Sequence, residues 1–495
     1  VNEALTQKTL SASFWVFIQS GGQQLVKFGL TVILARLLLP DAFGVVAMLE
    51  VILAISERVV KSGFGGALIQ KKEVSQVELA TLFYHSLCVG LLVYGGLYLS
   101  APAIANFFEQ TELIGILRVS AISLVFMALQ VPQNVQIIRE MRFKDLTVAT
   151  LFSVLCAAVV GITCALSGLG LWSLVWSGFT RKFVEMVIMC KLGGWLPTLD
   201  FSKVAWKHIM KLGGSYFGAN VLSSIFSNIH TIIIGKAYSA ATLGFFNRAR
   251  GIQDVSLNTA TAPLLSVLFP SFSRIHHDKK RLSQAYLRVL ATVAYIAIPI
   301  AFCVSLLAEP LIVTVYTSKW LQSVPYLEWM VLFGAAVPLL TVTSSIVRAS
   351  GRAATVLWLS ACQHSITLSA IALTYQHGVI PLIIGVGISH VLLLGLYFNV
   401  MKKTLGTAII RQLNIICLPV LVALLLWLGI RGLFEFHKFD HLWAIIVGGG
   451  IFWVSYLFIS FLFRFTGLIS LLQATHRYWG KFSICDKLFS RVIHQ

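Results

Sequence analysis

Charge is what this chain has least of. Only 12% of its 495 residues are Asp, Glu, Lys or Arg, about half the share usual in a soluble globular protein. That scarcity excludes a water-soluble fold of this size, because most of the chain must face lipid or other apolar helices. Acidic residues are the scarcer kind, 19 against 38 Lys and Arg. Paired cysteines are missing too. The eight Cys (Cys88, Cys156, Cys164, Cys190, Cys303, Cys362, Cys417 and Cys485) stand singly, mostly in apolar runs. They read as small packing residues, neither disulfides nor metal ligands. His276 and His277 form the one adjacent histidine pair, in a basic polar loop that reads as solvated. No GxxxxGK[ST] loop is present, which argues against direct ATP hydrolysis. No cofactor is expected. The N-terminal VNEALTQKTLSASFWV has no small-residue cleavage site behind a short apolar core. The expectation is that the first span itself targets the chain.

What is there is apolar. Hydrophobic residues make up 57% of the chain and the mean hydropathy is +0.85. A membrane span needs about 20 mainly apolar residues. Fourteen stretches qualify, near 13–35, 42–60, 80–101, 114–132, 147–167, 170–190, 213–235, 243–270, 286–307, 325–347, 353–374, 379–400, 412–431 and 441–463. The expected fold is an all-α polytopic membrane protein. Loops are short, and no segment outside the spans is long enough for a separate domain.

The chain also repeats at an offset of 200 residues. FGLTVILARLLLPDAFG (28–44) aligns without a gap on NIHTIIIGKAYSAATLG (228–244). Thr31 falls on Thr231, Ile33 on Ile233, Arg36 on Lys236, Gly44 on Gly244 and, further on, Leu68 on Leu268. Both halves place a basic pair after their fourth span, Arg139/Arg142 and Arg348/Arg352. The expected division is an N-lobe of six spans (1–205) and a C-lobe of six (206–405). Spans 13 and 14 (406–463) and a basic cytoplasmic tail (464–495) follow. Six spans per half make the repeats parallel, related by an axis along the membrane normal. Membrane proteins built this way are usually carriers, because two bundles can rock about a site between them.

Charge sets the orientation. With the N-terminus inside, the inner segments collect 29 Lys and Arg, including Lys71, Lys72, Arg139, Arg142, Lys144, the run from Arg181 to Lys211, Arg274, Lys279 to Arg281, and Lys402 with Lys403. The outer segments collect five, Arg36, Lys236, Lys319, Arg431 and Lys438. Both termini are therefore expected in the cytoplasm. The net charge of +19 is explained by this topology and by contact with anionic lipid, with no need for nucleic acid.

A few polar residues fall at membrane depth, where they are costly and usually face protein or water. Span 1 carries Gln23, Gln24 and Lys27, and span 2 carries Glu50, Glu57 and Arg58. Span 8 reads FFNRARGIQDVSLNTATAP, with Asn247, Arg248, Arg250, Gln253, Asp254 and Asn258. A span this polar must line a cavity or pack wholly within protein. At α-helical spacing, Asn247, Arg250, Asp254 and Asn258 share one face. Glu50 and Arg250 are equivalent at the offset of 200. The functional reading is a cationic cavity (Lys27, Asn247, Arg248, Arg250) that attracts a phosphate-bearing anion. The alternative is that these residues form internal ion pairs, such as Arg250 with Asp254 or Glu50. Glu50, Glu57 and Asp254 are candidates for ion coupling or for such pairing.

Several segments carry a family resemblance. They are LARLLLPDAFGVVAM (34–48), SGFGGALIQKKEVSQVEL (62–79), Arg139–Met141–Phe143 with KDL to 146, LFPSFSRIHHDKKRL (268–282) and VYTSKWLQSVPYLEWM (315–330). In this order they resemble the polysaccharide exporters, the Wzx-type flippases of the multidrug/oligosaccharidyl-lipid/polysaccharide superfamily. The colanic acid and teichuronic acid exporter-like branch is the nearest match. The resemblance implies a bacterial inner-membrane carrier of undecaprenyl-diphosphate-linked glycans and two lobes of six helices in a V. It implies as partners the lipid-linked glycan, membrane lipids, and a polysaccharide polymerase with its export machinery. It supplies no substrate residue that maps onto this chain. Two other functions compete. A drug antiporter of the same fold should have an acidic, aromatic cavity, against which the three interior cations argue. A glycan polymerase or glycosyltransferase should carry clustered carboxylates on long outer loops, whereas 101–113 offers only Glu109 and Glu112.

Overall fold

The computed structural model describes residues 2–61, 64–71, 73–266, 268–436 and 440–479. Lys72, Lys438, Cys485 and the tail from 480 onward, named above, lie outside them. The described residues form helices and turns. The chain divides into two compact units, Val1–Asn247 and Arg248–Gln495. Helix α8 and the first half of α9 thus belong to the first unit.

The N-terminal unit contains α1 (Asn2–Leu37), α2 (Pro40–Lys61), α3 (Phe64–Gln70), α4 (Gln76–Phe108), α5 (Leu113–Arg139), α6 (Phe143–Leu166), α7 (Leu171–Gly193), α8 (Lys203–Ala237) and the start of α9 (Ala240–Gln253). Small residues let these helices approach, which is how apolar helices associate where no hydrophobic effect drives them together. A Cβ on Gly90 would sit 2.9 Å from that of Ala128, so α4 and α5 touch almost backbone to backbone. Gly161 faces Ser177, whose hydroxyl donates to the Ala157 carbonyl at 2.9 Å and ties α7 to α6.

The ends of these helices are fixed by polar side chains. Ser75 and Glu78 form a capping box that starts α4. Arg139 donates to the carbonyls of Leu68 and Lys71, stapling the end of α3 to α5. Arg142 pairs with Glu140 and Asp145 and donates to the Leu192 carbonyl at 2.7 Å, holding the last turn of α7. Its carboxylate partners raise the basicity of that guanidinium. The Trp195 indole donates to Gln76 over the buried cluster of Leu68, Leu79, Leu82 and Val135. The basic pair after the fourth span is therefore occupied with backbone, in a structural role.

One contact repeats itself. A Cβ on Gly44 would fall 1.7 Å from the Ala240 carbonyl oxygen, and a Cβ on Gly244 would fall 2.1 Å from that of Pro40. The first turns of α2 and α9 thus press together reciprocally, with Pro40 and Gly44 matching Ala240 and Gly244 at the offset of 200. Only glycine permits this approach from both sides.

The C-terminal unit continues through a five-residue π-turn (Asp254–Asn258), α10 (Thr259–Ser266), α11 (Leu268–Arg274), α12 (Lys279–Leu306), α13 (Ala308–Tyr316), a 3₁₀ turn (Ser318–Ser323), α14 (Val324–Gly334), α15 (Ala336–Ala349), α16 (Ala353–Thr374), α17 (Val379–Leu405), α18 (Ile409–Phe436), α19 (His441–Trp443), a π-turn (Ala444–Gly448), α20 (Gly449–Leu462) and α21 (Thr466–Trp479). Helix α12 is the hub, packing on α14, α15, α18 and α21. Its Ala291, Ala294, Ala297 and Ala301 are buried at spacings of three and four. Two buried polar links lock it in place. Tyr286 donates to Gln412 of α18 at 2.7 Å, and Tyr295 shares a 3.1 Å hydrogen bond with Ser460 of α20. The start of the tail is the amphipathic α21, which lies against α12.

Among the described residues, nine helical segments are long and apolar enough to cross a membrane. The other five expected spans fall on α1, α2, α7, α8 and the α9–α11 run, which are helical over their described residues. One placement needs correction. Arg181 and Lys182 do not belong to an inner loop. They lie halfway along the continuous helix α7, with Glu185 a turn further on.

Candidate functional site

Three helices of the N-terminal unit bring their polar residues to one place. On α2, Glu50, Glu57 and Lys61 recur at spacings of seven and four, so they share a face. Helix α7 supplies Arg181, Lys182 and Glu185, and α1 supplies Lys27. The Lys182 ammonium pairs with the Glu57 carboxylate at 2.7 Å, with side chains only 14% and 26% exposed. Lys27 lies within electrostatic reach of Arg181, Lys182, Glu50 and Glu185. Lys61 is in reach of Glu57, Lys182, Glu185 and Arg58. The cluster holds five cations (Lys27, Arg58, Lys61, Arg181 and Lys182) and three carboxylates (Glu50, Glu57 and Glu185), an excess of two positive charges.

Exposure sorts these groups by task. Glu57 is half-buried and tied to Lys182. Such a pair is held because removing one partner strands the other charge at high cost. Lys27 and Glu50 are exposed, so they line an open surface of the unit. The arrangement can attract an anion at Lys27 while the Glu57–Lys182 pair stays a fixed part of the wall.

Asn247 closes the N-terminal unit, and the other span-8 candidates open the C-terminal one. Arg248 lies within electrostatic reach of the buried Tyr316 at the end of α13. Arg250 acts on Asp254 without an ion pair between them among the described contacts. Asp254 accepts instead from the Asn258 amide, at 3.1 Å. Both Asp254 and Asn258 are exposed.

The single α-helical face expected for Asn247, Arg250, Asp254 and Asn258 is not continuous. From Asp254 to Asn258 the helix widens into a π-turn, which changes the angular register beyond Asp254. Two features accompany the widening. Pro263 in the next turn lacks an N–H for the ladder. Gln253 leaves the helix surface and donates to the Met330 carbonyl at 2.9 Å, over Gly334, where a Cβ would lie 2.1 Å from its amide nitrogen. Serine and threonine hydroxyls satisfy neighbouring carbonyls, Ser256 to Ile252 at 2.7 Å and Thr261 to Leu257 at 2.8 Å.

The structure therefore gathers Lys27, Glu50 and Glu57 in the first unit, and Arg248, Arg250 and Asp254 along one helix of the second. The sequence reading missed Lys61, Arg181, Lys182 and Glu185. Three of these lay in plain sight, inside the apolar window 170–190. At the opposite ends of the helices, Lys236 pairs with Glu109 at 2.7 Å, and that hydrogen bond holds the Glu109 carboxyl below its usual range.

A family model described as "Polysaccharide biosynthesis protein" matches residues 33–325. The succinoglycan biosynthesis transport protein ExoT of Rhizobium meliloti (strain 1021) is 23% identical over 425 residues, 85% of each chain. The lipopolysaccharide biosynthesis protein WzxC of Escherichia coli (strain K12) is 23% identical over 341 residues, covering 67% of this chain and 68% of that one. Among solved structures, the lipid II flippase MurJ in an inward closed conformation superposes with a TM-score of 0.75 at 16% identity, over 92% of this chain and 99% of that one. An inward-facing multidrug MATE transporter of the MOP superfamily gives 0.60 at 14% identity, over 78% and 96%. These structural likenesses establish the fold.

Proposed function

Because this chain belongs to the polysaccharide biosynthesis protein family of Wzx-type exporters, we propose that it is a flippase for lipid-linked glycans in the bacterial inner membrane. It moves undecaprenyl-diphosphate-linked oligosaccharide units from the cytoplasmic to the periplasmic leaflet. Two lobes, 1–205 and 206–405, alternate access to a cationic cavity, and both termini are cytoplasmic.

The observation that carries this reading is the surplus of two positive charges among the groups gathered around Lys27 in the N-terminal unit. A diphosphate and its glycan cannot cross lipid unaided, because stripping the hydration from charged and hydroxyl groups costs many kcal/mol. A cationic, hydrated surface replaces that hydration while the prenyl tail stays in lipid. Lys27, Arg248 and Arg250 attract the diphosphate, and Asn247 donates to it or to a sugar. Arg181 and Lys182 raise the local potential behind Lys27. The reciprocal contact of Pro40–Gly44 with Ala240–Gly244 supports a two-fold internal repeat of the kind that underlies alternating access. Glu57, already neutralised by Lys182, is the least suited of the three carboxylates to carry a coupling ion. Glu50 and Asp254, both exposed, are the better candidates.

The exposed Glu50 and Asp254 also favour a second reading, an ion-coupled antiporter of small cations on the same fold. Deletion of the gene in its native host separates the two. Loss of surface polysaccharide with accumulation of lipid-linked glycan on the cytoplasmic side is the expected result. Unchanged polysaccharide with altered drug tolerance would move the protein to the antiporter class.

A further inference from the structure

Helices α16 and α17 enclose a cavity of about 450 Å³ that belongs to neither charged cluster described above. The helices run antiparallel, so residues near 352 and near 404 share one end. At that end the cavity is lined by Arg352, Lys403, Thr355, Thr404 and Asn399. Further along it is lined by Trp358, Leu392 and Leu396. At 1.5 Å per residue, Leu392 lies about 16 Å along the helix from Lys403. The cavity is thus polar and cationic at one end and apolar beyond it.

Arg352 is fixed at the polar end. Its Nη1 donates to the Thr404 hydroxyl at 3.2 Å, which uses one of five N–H donors. Among the described residues no carboxylate lines the cavity, so the two cations carry no counter-charge there. Beyond the cavity, both helices present exposed apolar side chains, with Leu357 71%, Leu373 75% and Val391 52% exposed. The half-exposed Trp358 sits at the change from polar to apolar, as indoles do at a membrane boundary.

We propose that this cavity binds one anionic glycerophospholipid of the surrounding membrane. The phosphate sits between Arg352 and Lys403, where two cations and fixed hydroxyls make charge-assisted hydrogen bonds to it. The ester region meets Thr355 and Asn399, and the first acyl carbons lie along Trp358, Leu392 and Leu396. Basic pockets between membrane helices on the side rich in Lys and Arg suit such head groups. The volume admits a phosphate head group with the start of its chains, and the apolar far end suits acyl carbons and not sugar hydroxyls, so the lipid is a bound neighbour and not cargo.

The test is a titration of the full-length protein, purified and stripped of lipid in detergent, followed by native mass spectrometry. Phosphatidylglycerol, phosphatidylcholine and undecaprenyl diphosphate are compared as ligands. Wild type should retain one phosphatidylglycerol in preference to phosphatidylcholine. Lys403→Ala should weaken that binding about fivefold, the worth of one cation at a membrane surface. Lys402→Ala, which removes the adjacent exposed lysine that does not line the cavity, should leave it unchanged. Because Arg352 also holds Thr404, the Lys403 and Lys402 pair decides the matter. Equal loss in both variants would reduce the effect to diffuse surface charge and overturn the site. Equal retention of phosphatidylcholine, or displacement of phosphatidylglycerol by undecaprenyl diphosphate in wild type but not in Lys403→Ala, would overturn it as well.

Discussion

Gly44→Ala is the sharpest single perturbation this fold offers. Its Cβ would lie 1.7 Å from the Ala240 carbonyl oxygen. Close carbon–oxygen contacts in proteins stop at about 3.3 Å, so the deficit is about 1.6 Å. The opposing atom belongs to the backbone at the start of α9, and no rotamer change can move it. The two helix starts must separate, at a cost of at least the ~1–3 kcal/mol typical of overpacking. Gly244→Ala meets the Pro40 carbonyl at 2.1 Å and should cost a similar amount. Once one substitution has parted the helices, the second meets open space, so the double variant should lose little more than either single one. The assay is thermal unfolding of the purified protein with size-exclusion monodispersity as a second readout. Wild-type melting in both single variants would refute the close approach. Fully additive losses would refute its reciprocity.

Four further outcomes are expected. Glu57→Gln should destabilise the protein by about 1–3 kcal/mol, because it removes the counter-charge 2.7 Å from the partly buried Lys182 ammonium, while Glu57→Gln with Lys182→Met should recover most of the loss in the same melting assay. Arg139→Ala should lower the melting temperature through loss of two charge-assisted bonds from its Nη1 to the Leu68 and Lys71 carbonyls, worth roughly 1.5–3 kcal/mol each, and Arg139→Lys should recover part of the loss because a single nitrogen makes both bonds. Lys27→Ala and Arg250→Ala should each reduce surface polysaccharide with membrane insertion intact, and normal polysaccharide in both would sink the cationic cavity. Gln110→Cys should react with an impermeant thiol reagent from outside the cell and Lys280→Cys should not, and the reverse pattern would invert the topology.

The apolar runs announced the helices because a span must satisfy its own backbone in lipid, so length and hydropathy alone locate it. That is why each expected span falls on helix over its described residues, including α1 with its Gln23, Gln24 and Lys27. The same logic misled at Arg181 and Lys182. A charge count along the chain assigns basic residues to loops, yet α7 runs straight through them because Glu57 on α2 supplies a partner that sequence proximity does not reveal. The π-turn at Asp254 was hidden for a related reason. Helical spacing predicts one face from Asn247 to Asn258, but the reach of Gln253 to Met330 depends on the absence of a side chain at Gly334, 81 positions away. Gly44 and Gly244 stood out as a matched pair at the offset of 200. Their mutual contact required the fold.

The central claim is that the charged interior moves a lipid-linked diphosphate glycan. It is tested most directly by reconstituting the purified protein in sealed vesicles that carry such a glycan in the inner leaflet. An impermeant glycan-cleaving enzyme outside then reports what has crossed. Wild type should expose the glycan with time under an ion gradient, and Lys27→Ala with Arg250→Ala should leave it protected. Protection in wild type equal to that in protein-free vesicles would contradict the account.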